Sequence, residues 1–152
     1  MARSIGYDEL IRRFPMLSAA LIVPMRCVSP VRGRGKYVKQ LKDRPHQFGD
    51  VEVSASPAGV LSIHLAHSWP SELSNDEIVR LDDALVLGLV EGIAREEWPP
   101  MECALTCESV GYVNGDTTPV AVRIAAAMAV RSMCRRSGWE GLNGAAPPDD
   151  VA

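Results

Sequence analysis

The sequence predicts an α+β fold, a two-layer sandwich in which a small four-stranded sheet packs against two helices on one face. Short segments that alternate apolar and polar residues indicate the strands, and two longer segments with apolar residues at helical spacing indicate the helices. They occur in the order β, β, β, α, β, α. With 152 residues, 47% of them hydrophobic, the chain is long enough for one domain with its own core.

The N-terminal region predicts a short helix followed by the first strand. Residues 7–14 are amphipathic, and Pro15 ends this helix because proline has no N–H to donate. Residues 21–31 predict a strand, and the prolines at 24 and 30 place it at an edge of the sheet.

The apolar run near the N-terminus does not predict an export signal or a membrane span. In RRFPMLSAALIVPM (12–25), two prolines bracket the run and no A-x-A cleavage site follows it. The run is also shorter than the ~20 residues that a membrane span needs. We therefore expect a cytoplasmic protein without membrane contact.

Positive charge gathers between the first two strands. Six of the thirteen residues at 32–44 are basic, in a chain of net charge −3: Arg32, Arg34, Lys36, Lys39, Lys42 and Arg44. Such a basic loop indicates a surface suited to a polyanion. Charge alone supports equally well a solvated loop that has no partner.

Two short strands are predicted after the basic loop. Residues 51–54 and 60–66 alternate apolar and polar side chains. The segment SPAG (56–59) between them is a turn, since Pro57 presets its φ angle and Gly59 suits the fourth position. We expect the two strands to form a hairpin.

The first long helix begins at a capping box, with Ser74 at the N-cap and Glu77 three residues later. Its apolar stripe consists of Ile78, Leu81, Leu85, Leu89 and Ile93. The helix is expected to end near residues 98–100.

The last strand, a loop and the second long helix follow. Residues 101–111 predict a strand with Cys103, Leu105 and Cys107 on one face. Thr118 and Pro119 predict the N-cap and first position of a helix over 120–136. This helix is rich in alanine, which allows it to lie close to the sheet. A loose tail is expected from Gly138 onward.

The cysteines, histidines and paired acids suggest neither catalysis nor metal binding. The four cysteines lack C-x-x-C spacing and are expected to be reduced, small apolar residues: Cys27, Cys103, Cys107 and Cys134. His64 and His67 are read as surface histidines, because a spacing of three puts them on opposite faces of a strand and no third ligand is evident. Asp82–Asp83 and Glu96–Glu97 are read as solvated helix positions.

Two segments resemble a known family. GKYVKQ…RPHQFGDVEV resembles the start of the fourth domain of translation elongation factor G, with Lys39-Gln40 as its Lys-Gln pair and residues 47–51 as its Gln-Tyr-Gly-x-Val element. LVEGIAREEWPPMECALTCESVGYVNGDTTPVAVRIAAAMAVRSM is similar to that family's helix, strand, tip loop and final helix. GDTTPVAVRIAA also looks like the matching loop of ribosome-protection tetracycline-resistance proteins. The resemblance covers roughly residues 26–136.

The resemblance implies a fold and an RNA contact surface. The fold would be a mixed four-stranded sheet of the ribosomal protein S5 domain 2 type, with a left-handed β-α-β crossover. The domain would span residues 21–137, between a helical extension at 1–20 and a tail at 138–152. Two tip loops, at 41–46 and 112–117, would touch RNA. The implied RNA-binding residues are Arg34, Lys36, Lys39, Gln40, Lys42, Arg44, His46, Gln47, Tyr112, Asn114, Gly115 and Thr117.

The sequence departs from the family at three places. It contains no G-x-x-x-x-G-K-[ST] phosphate loop, so we expect no GTP binding by this chain alone. The first tip loop carries Pro45 where the family has glycines. The second reads VNGDTT (113–118) in place of His-x-x-Asp-Ser.

We therefore expect a non-enzymatic, translation-factor-like module without a cofactor. Its partner would be the small ribosomal subunit or another structured RNA. The alternative is a protein-interaction module that kept the fold and pairs through its edge strand or N-terminal helix. A third reading is a small enzyme on this fold.

Overall fold

The computed structural model describes residues 3–20, 23–40, 42 and 46–141. Its strands are β1 (Arg3–Ile5), β2 (Met25–Cys27), β3 (Val31–Lys39), β4 (Gln47–Pro57), β5 (Ser62–Leu65), β6 (Pro100–Gly111) and β7 (Trp139–Gly141). Its helices are α1 (Tyr7–Arg13), α2 (Met16–Ala19), α3 (Asn75–Arg95) and α4 (Pro119–Cys134). The α+β class is confirmed. The described residues form seven strands, so the expected count of four is wrong.

The long strand β6 organises the sheet. It pairs with β5 in parallel on one side and with β4 antiparallel on the other, and β3 continues the sheet beyond β4. β1 lies outside β5. Beside the start of β6, where β4 has ended, the chain places β2, and β7 pairs with β2.

The predicted hairpin between the strands near 51–54 and 60–66 is wrong. β4 forms its hairpin with β3, while β5 pairs with β6 and β1. The bend after Pro57 therefore carries the chain away from β4 rather than back along it. Turn residues report a local change of direction, but they do not determine which strand becomes the neighbour.

The first predicted strand and the basic loop also require correction. Of the strand expected over 21–31, the described residues from 23 onward form only β2, and Val31 already begins β3. Arg32, Arg34, Lys36 and Lys39 consequently lie on β3 and not in a loop. Glycines within the segment concealed this strand, because glycine normally weakens a strand interior.

Those glycines allow α4 to lie directly on the sheet. A Cβ atom at Gly33 or Gly35 would overlap backbone atoms of α4, and one at Gly49 would overlap the Ala121 carbonyl. From the other side, a Cβ on Gly88 of α3 would meet the Arg123 carbonyl of α4. The expectation that an alanine-rich helix lies close to the sheet is confirmed, and the facing elements contribute glycines to the same contact.

Both long helices begin at the predicted caps. The Ser74 Oγ accepts a hydrogen bond from the Glu77 N–H at 3.2 Å, which forms the capping box. The Thr118 Oγ1 accepts from the Ala121 N–H at 3.2 Å, and Pro119 occupies the first turn of α4. These side chains satisfy N–H groups that have no partner within the helix.

The two ends of the described chain are part of the fold. β1 adds a strand beside β5, and Leu10 and Leu17 of the two short helices are fully buried in the core. At the other end, Trp139 of β7 is buried and its indole N–H donates to the Met133 carbonyl at 3.2 Å. The loose tail expected from Gly138 therefore does not begin there, while residues 142–152 lie outside the described residues. Within the described chain, no helix has the length and apolar character needed to cross a membrane.

Candidate nucleic-acid interface

Two loop regions meet at one end of the sheet. The β3–β4 hairpin has Lys39 and Gln47 as its last register pair, and the Phe48 N–H donates to the Asp116 carbonyl at 2.9 Å. That bond ties the hairpin end to the loop between β6 and α4. We call this region the tip surface; it comprises residues 36–40, 42, 46–48 and 112–117.

The loop at 112–117 is held by its own hydrogen bonds. The Asp116 and Thr117 N–H groups both donate to the Val113 carbonyl, and the Val113 N–H donates to the Thr117 Oγ1 at 2.9 Å. Gly115 has a φ angle of 83°, in the left-handed region that suits glycine. The loop is thus a built turn with a defined shape.

The hydrogen bonds of this loop leave only some of its predicted RNA-binding residues exposed. Thr117 is buried and its Oγ1 already accepts a hydrogen bond inside the turn, so this side chain is poorly placed for the predicted RNA contact. Tyr112 is half-buried against the core, with its ring 6.4 Å from that of Trp69. Asn114 and Gly115 are exposed and remain available to a ligand.

Two arginines of β3 are paired with carboxylates of β4. The Arg34 guanidinium donates two hydrogen bonds to the Asp50 carboxylate, from Nε to Oδ1 at 2.8 Å and from Nη2 to Oδ2 at 2.5 Å. Hydrogen bonding to Asp50 raises the pKa of Arg34 further above its usual range. The Arg32 Nη1 lies 3.2 Å from the Glu52 Oε1. A polyanion would have to compete with these carboxylates for both arginines.

The lysines of the tip surface are differently placed. Lys36, Lys39 and Lys42 are exposed, and among the described residues none of the three forms an ion pair. The Lys36 Nζ lies over the Phe48 ring, 5.8 Å from its centroid. Of the other predicted contacts, Gln40 and His46 are exposed, Gln47 is half-buried, and Arg44 lies outside the described residues.

Sequence reasoning missed Phe48 as a surface residue. The other aromatic side chains lie in the core or pack against it: Tyr7, Phe14, Tyr37, Trp69, Trp98, Tyr112 and Trp139. Phe48 is half-buried and lies outside that core. The signal was present in the alternation of β4, because Val51 and Val53 point inward and position 48 has the opposite parity.

A polar cluster beside the core contradicts two surface assignments. The Asp82 Oδ1 accepts from the Trp69 N–H at 2.7 Å and lies 2.7 Å from the His67 Nε2. The His67 side chain is only 2% exposed, so it is not a surface histidine, and Asp82, at 16%, is not a solvated helix position. Burial acts to raise the pKa of Asp82, but the hydrogen bonds from His67 and Trp69 outweigh it and lower the pKa.

In the second acidic pair, too, one carboxylate is largely buried and the other is exposed. The Glu96 side chain is 10% exposed and lies 2.7 Å from the Arg135 Nη1, while Glu97 is exposed as expected.

His64 lies on the open face of the sheet, 2.7 Å from the Ser4 hydroxyl and 3.0 Å from the Ser62 hydroxyl.

The described thiols are unsuited to nucleophilic chemistry. Burial raises the pKa of Cys107 to about 12 and that of Cys103 well above its usual range. A thiolate is the reactive form of cysteine, so both remain protonated and unreactive near neutral pH. Across the part of the chain that the structure describes, no three residues among His, Cys, Asp and Glu come together as a metal site.

The described residues thus define an α+β protein whose mixed sheet presents a lysine-bearing end. Among solved structures, a protein of Thermus thermophilus has a similar fold, with a TM-score of 0.61 and 22% sequence identity over 78% of this chain. The match covers 18% of the Thermus chain, so the aligned part of this chain spans less than a fifth of that protein's length. No family model matches the sequence, and no curated protein matches it.

Proposed function

We propose that this chain is a non-enzymatic, translation-factor-like module that binds ribosomal or other structured RNA through the tip surface. The observation that carries the proposal is the group of three exposed lysines, Lys36, Lys39 and Lys42, near the hydrogen-bonded turn at 113–117. None of the three forms an ion pair within the described residues. The small ribosomal subunit is the proposed partner, and the cytoplasm the proposed place of action.

The architecture supports a fold of the ribosomal protein S5 domain 2 type, as in the fourth domain of elongation factor G. Within the larger sheet, β3, β4, β6 and β5 are neighbours in that order, and α3 connects the parallel strands β5 and β6. β1, β2 and β7 are additions to this four-stranded body. The described helices α3 and α4 pack on each other and on the inner face of the sheet.

The proposed mechanism is occupancy of an RNA cleft by a shaped wedge. Lysines that approach phosphates release condensed counterions, and this favours binding that is independent of the RNA sequence. The exposed amide of Asn114 and the backbone at Gly115 supply uncharged hydrogen-bonding groups for riboses or base edges. The net charge of −3 keeps the attraction local, because the rest of the protein repels a polyanion.

Co-sedimentation with ribosomal subunits tests the proposal. We expect the protein to pellet with the small subunit at low salt. If the three lysines contact phosphates, affinity should fall roughly 20- to 40-fold between 50 and 200 mM salt. The triple variant Lys36→Glu, Lys39→Glu, Lys42→Glu should not pellet.

The matched control reverses three exposed arginines outside the tip surface, Arg12, Arg131 and Arg136, to glutamate. It changes the net charge equally and should still pellet. Loss of pelleting in both variants would show that net charge alone governs binding. Failure of the unaltered protein to pellet at any salt would contradict the proposal.

A protein-interaction module is the second candidate, and the outer edge of β3 favours it. Among the described strands β3 pairs with β4 alone. On the outer edge of β3, the Arg34 N–H already donates to the Ser132 hydroxyl at 3.4 Å, so a partner would have to replace that bond. An extended partner segment could add a strand beside this edge. Such binding would be insensitive to the three lysine reversals.

A further inference from the structure

Phe48 lies on the open face of the sheet, opposite α4. Its neighbour Gly49 faces inward, where a Cβ atom would meet Ala121 of α4. Successive strand residues point to opposite faces, so Phe48 points outward together with Asp50 and Glu52. With 5% aromatic residues, the chain has few rings, and it leaves this one outside the core.

The surroundings of Phe48 leave space for its ring on the strand surface. A Cβ atom on Gly111 would come within 3.1 Å of the Phe48 Cε1, so the absence of a side chain there lets the ring lie against β6. Val38, the register partner of Phe48, is 52% exposed. The two side chains form a small apolar patch on the tip surface.

A cation lies beside this patch. The Lys36 ammonium is 5.8 Å from the ring centroid, and no ion pair holds it among the described residues. Lysine has a long flexible stem, so the ammonium can move from the ring to a phosphate as a ligand arrives. An aromatic face beside a mobile cation matches the chemistry of a nucleotide, which has a flat base and a charged phosphate.

We propose that Phe48 is a stacking platform for an unpaired RNA base, with Lys36 contacting the adjacent phosphate. This inference rests on the proposed function and names what the tip surface recognises: a single-stranded or looped segment whose bases are free to stack. A fully paired helix offers no exposed base face, so it binds only through its phosphates. Every base has a flat face, so the platform tolerates different sequences.

The test compares Phe48→Leu, which removes the aromatic face, with Phe48→Tyr, which keeps it. Each protein is titrated, by fluorescence anisotropy, into a labelled ten-nucleotide oligouridine and into an abasic ribose-phosphate strand of the same length. We expect Phe48→Leu to weaken oligouridine binding by roughly 5- to 150-fold and Phe48→Tyr to bind as the unaltered protein does. On the abasic strand all three proteins should bind equally.

The outcomes separate this inference from the proposed function. If the unaltered protein binds oligouridine and Phe48→Leu binds it equally well, stacking is wrong while RNA binding stands. An equal loss on the abasic strand would also overturn stacking, because no base is present there. If the unaltered protein binds neither the strands nor ribosomal subunits, the proposed function fails and the platform fails with it. Thermal unfolding of each variant by circular dichroism establishes that the compared proteins are folded.

Discussion

Asp82 accepts hydrogen bonds from two side chains that are distant from it in sequence. The Asp82 carboxylate can only accept, so its hydrogen bond to the His67 Nε2 requires a proton on that nitrogen, while the described residues give the Nδ1 no hydrogen-bond partner. Trp69 supplies a second donor to the same oxygen. Both partners precede α3 in the chain and are aligned with Asp82 only after the chain has folded.

Asp82 should give the fold a pH-dependent stability. Its pKa in the folded state lies below the ordinary value of 3.8, so its ionised form stabilises the fold. That contribution is complete above about pH 5 and is lost as pH falls through 3.8 towards the folded pKa. In urea unfolding, Asp82→Asn should be less stable than the unaltered protein at pH 6, and the difference should shrink at pH 3.

The neighbouring Asp83 provides the control, since it is exposed. Asp83→Asn should change the free energy of unfolding little at either pH. A stability difference for Asp82→Asn that is the same at pH 3 and pH 6 would show that its charge contributes nothing.

At the residue scale, sequence alone predicted the side chains that act locally. Ser74, Glu77 and Thr118 serve as caps because their partners lie within three residues along the chain. Thr117 and Asp82 escaped prediction because their surroundings depend on the way a loop closes or on the packing of distant elements. The outward direction of the Phe48 side chain could have been predicted from the alternation of β4, but only if the strand was known to begin at Gln47.

At the scale of elements, α4 depends on glycine in the strands beneath it. Gly35→Ala should lower the free energy of unfolding by about 1–3 kcal/mol, because the added methyl group would overlap the Ala125 carbonyl of α4. The measurement is urea unfolding monitored by circular dichroism.

Gly59→Ala is the matched substitution. Nothing lies within 4 Å of a Cβ atom added there, and its φ angle is not positive. It should change the free energy of unfolding by less than about 0.5 kcal/mol, or raise it slightly by restricting the unfolded chain. Equal effects of the two substitutions would mean that the close approach of α4 does not limit stability.

The helices were predictable and the strand pairing was not. α3 and α4 carry their periodicity and their caps within their own sequences. The position of β5 beside β6 depends on contacts across the whole of α3, which no local pattern encodes. β3 was not predicted for a different reason. Its glycines allow α4 to pack closely on the strand, but in the sequence they are typical of a loop.

At the scale of the whole molecule, β7 shows that the start of the predicted tail is part of the fold. Trp139→Ala should lower the free energy of unfolding by about 3–5 kcal/mol, since it empties a buried aromatic site and breaks the hydrogen bond to Met133. Trp139→Phe keeps most of the packing and should cost about 1 kcal/mol through the lost hydrogen bond. Unaltered stability in Trp139→Ala would restore the interpretation of this segment as a loose tail.

The α+β class followed from composition and patterning, because a chain of this length with two amphipathic helices and several short strands has few ways to bury its apolar faces. The added strands β1 and β7 could not be predicted in the same way, because at three residues each they are too short for an alternating pattern to be distinguished from chance. β2 lies inside the strand predicted over 21–31 but is also only three residues long. The tip surface was located by charge, but the ion pairs that occupy Arg32 and Arg34 became visible only with the register of β3 against β4.

The pairing of β7 with β2 also sets an order on folding. Cys27 and Trp139 are register partners although they lie far apart in the sequence, so that pairing waits until nearly all of the described chain has been synthesised. The β3–β4 hairpin joins adjacent segments and can form much earlier. A chain interrupted before residue 139 would leave one edge of β2 without its neighbour, and an unpaired strand edge is a template for aggregation. Among the described strands, the three residues of β7 are therefore the last to join the sheet as the chain is synthesised.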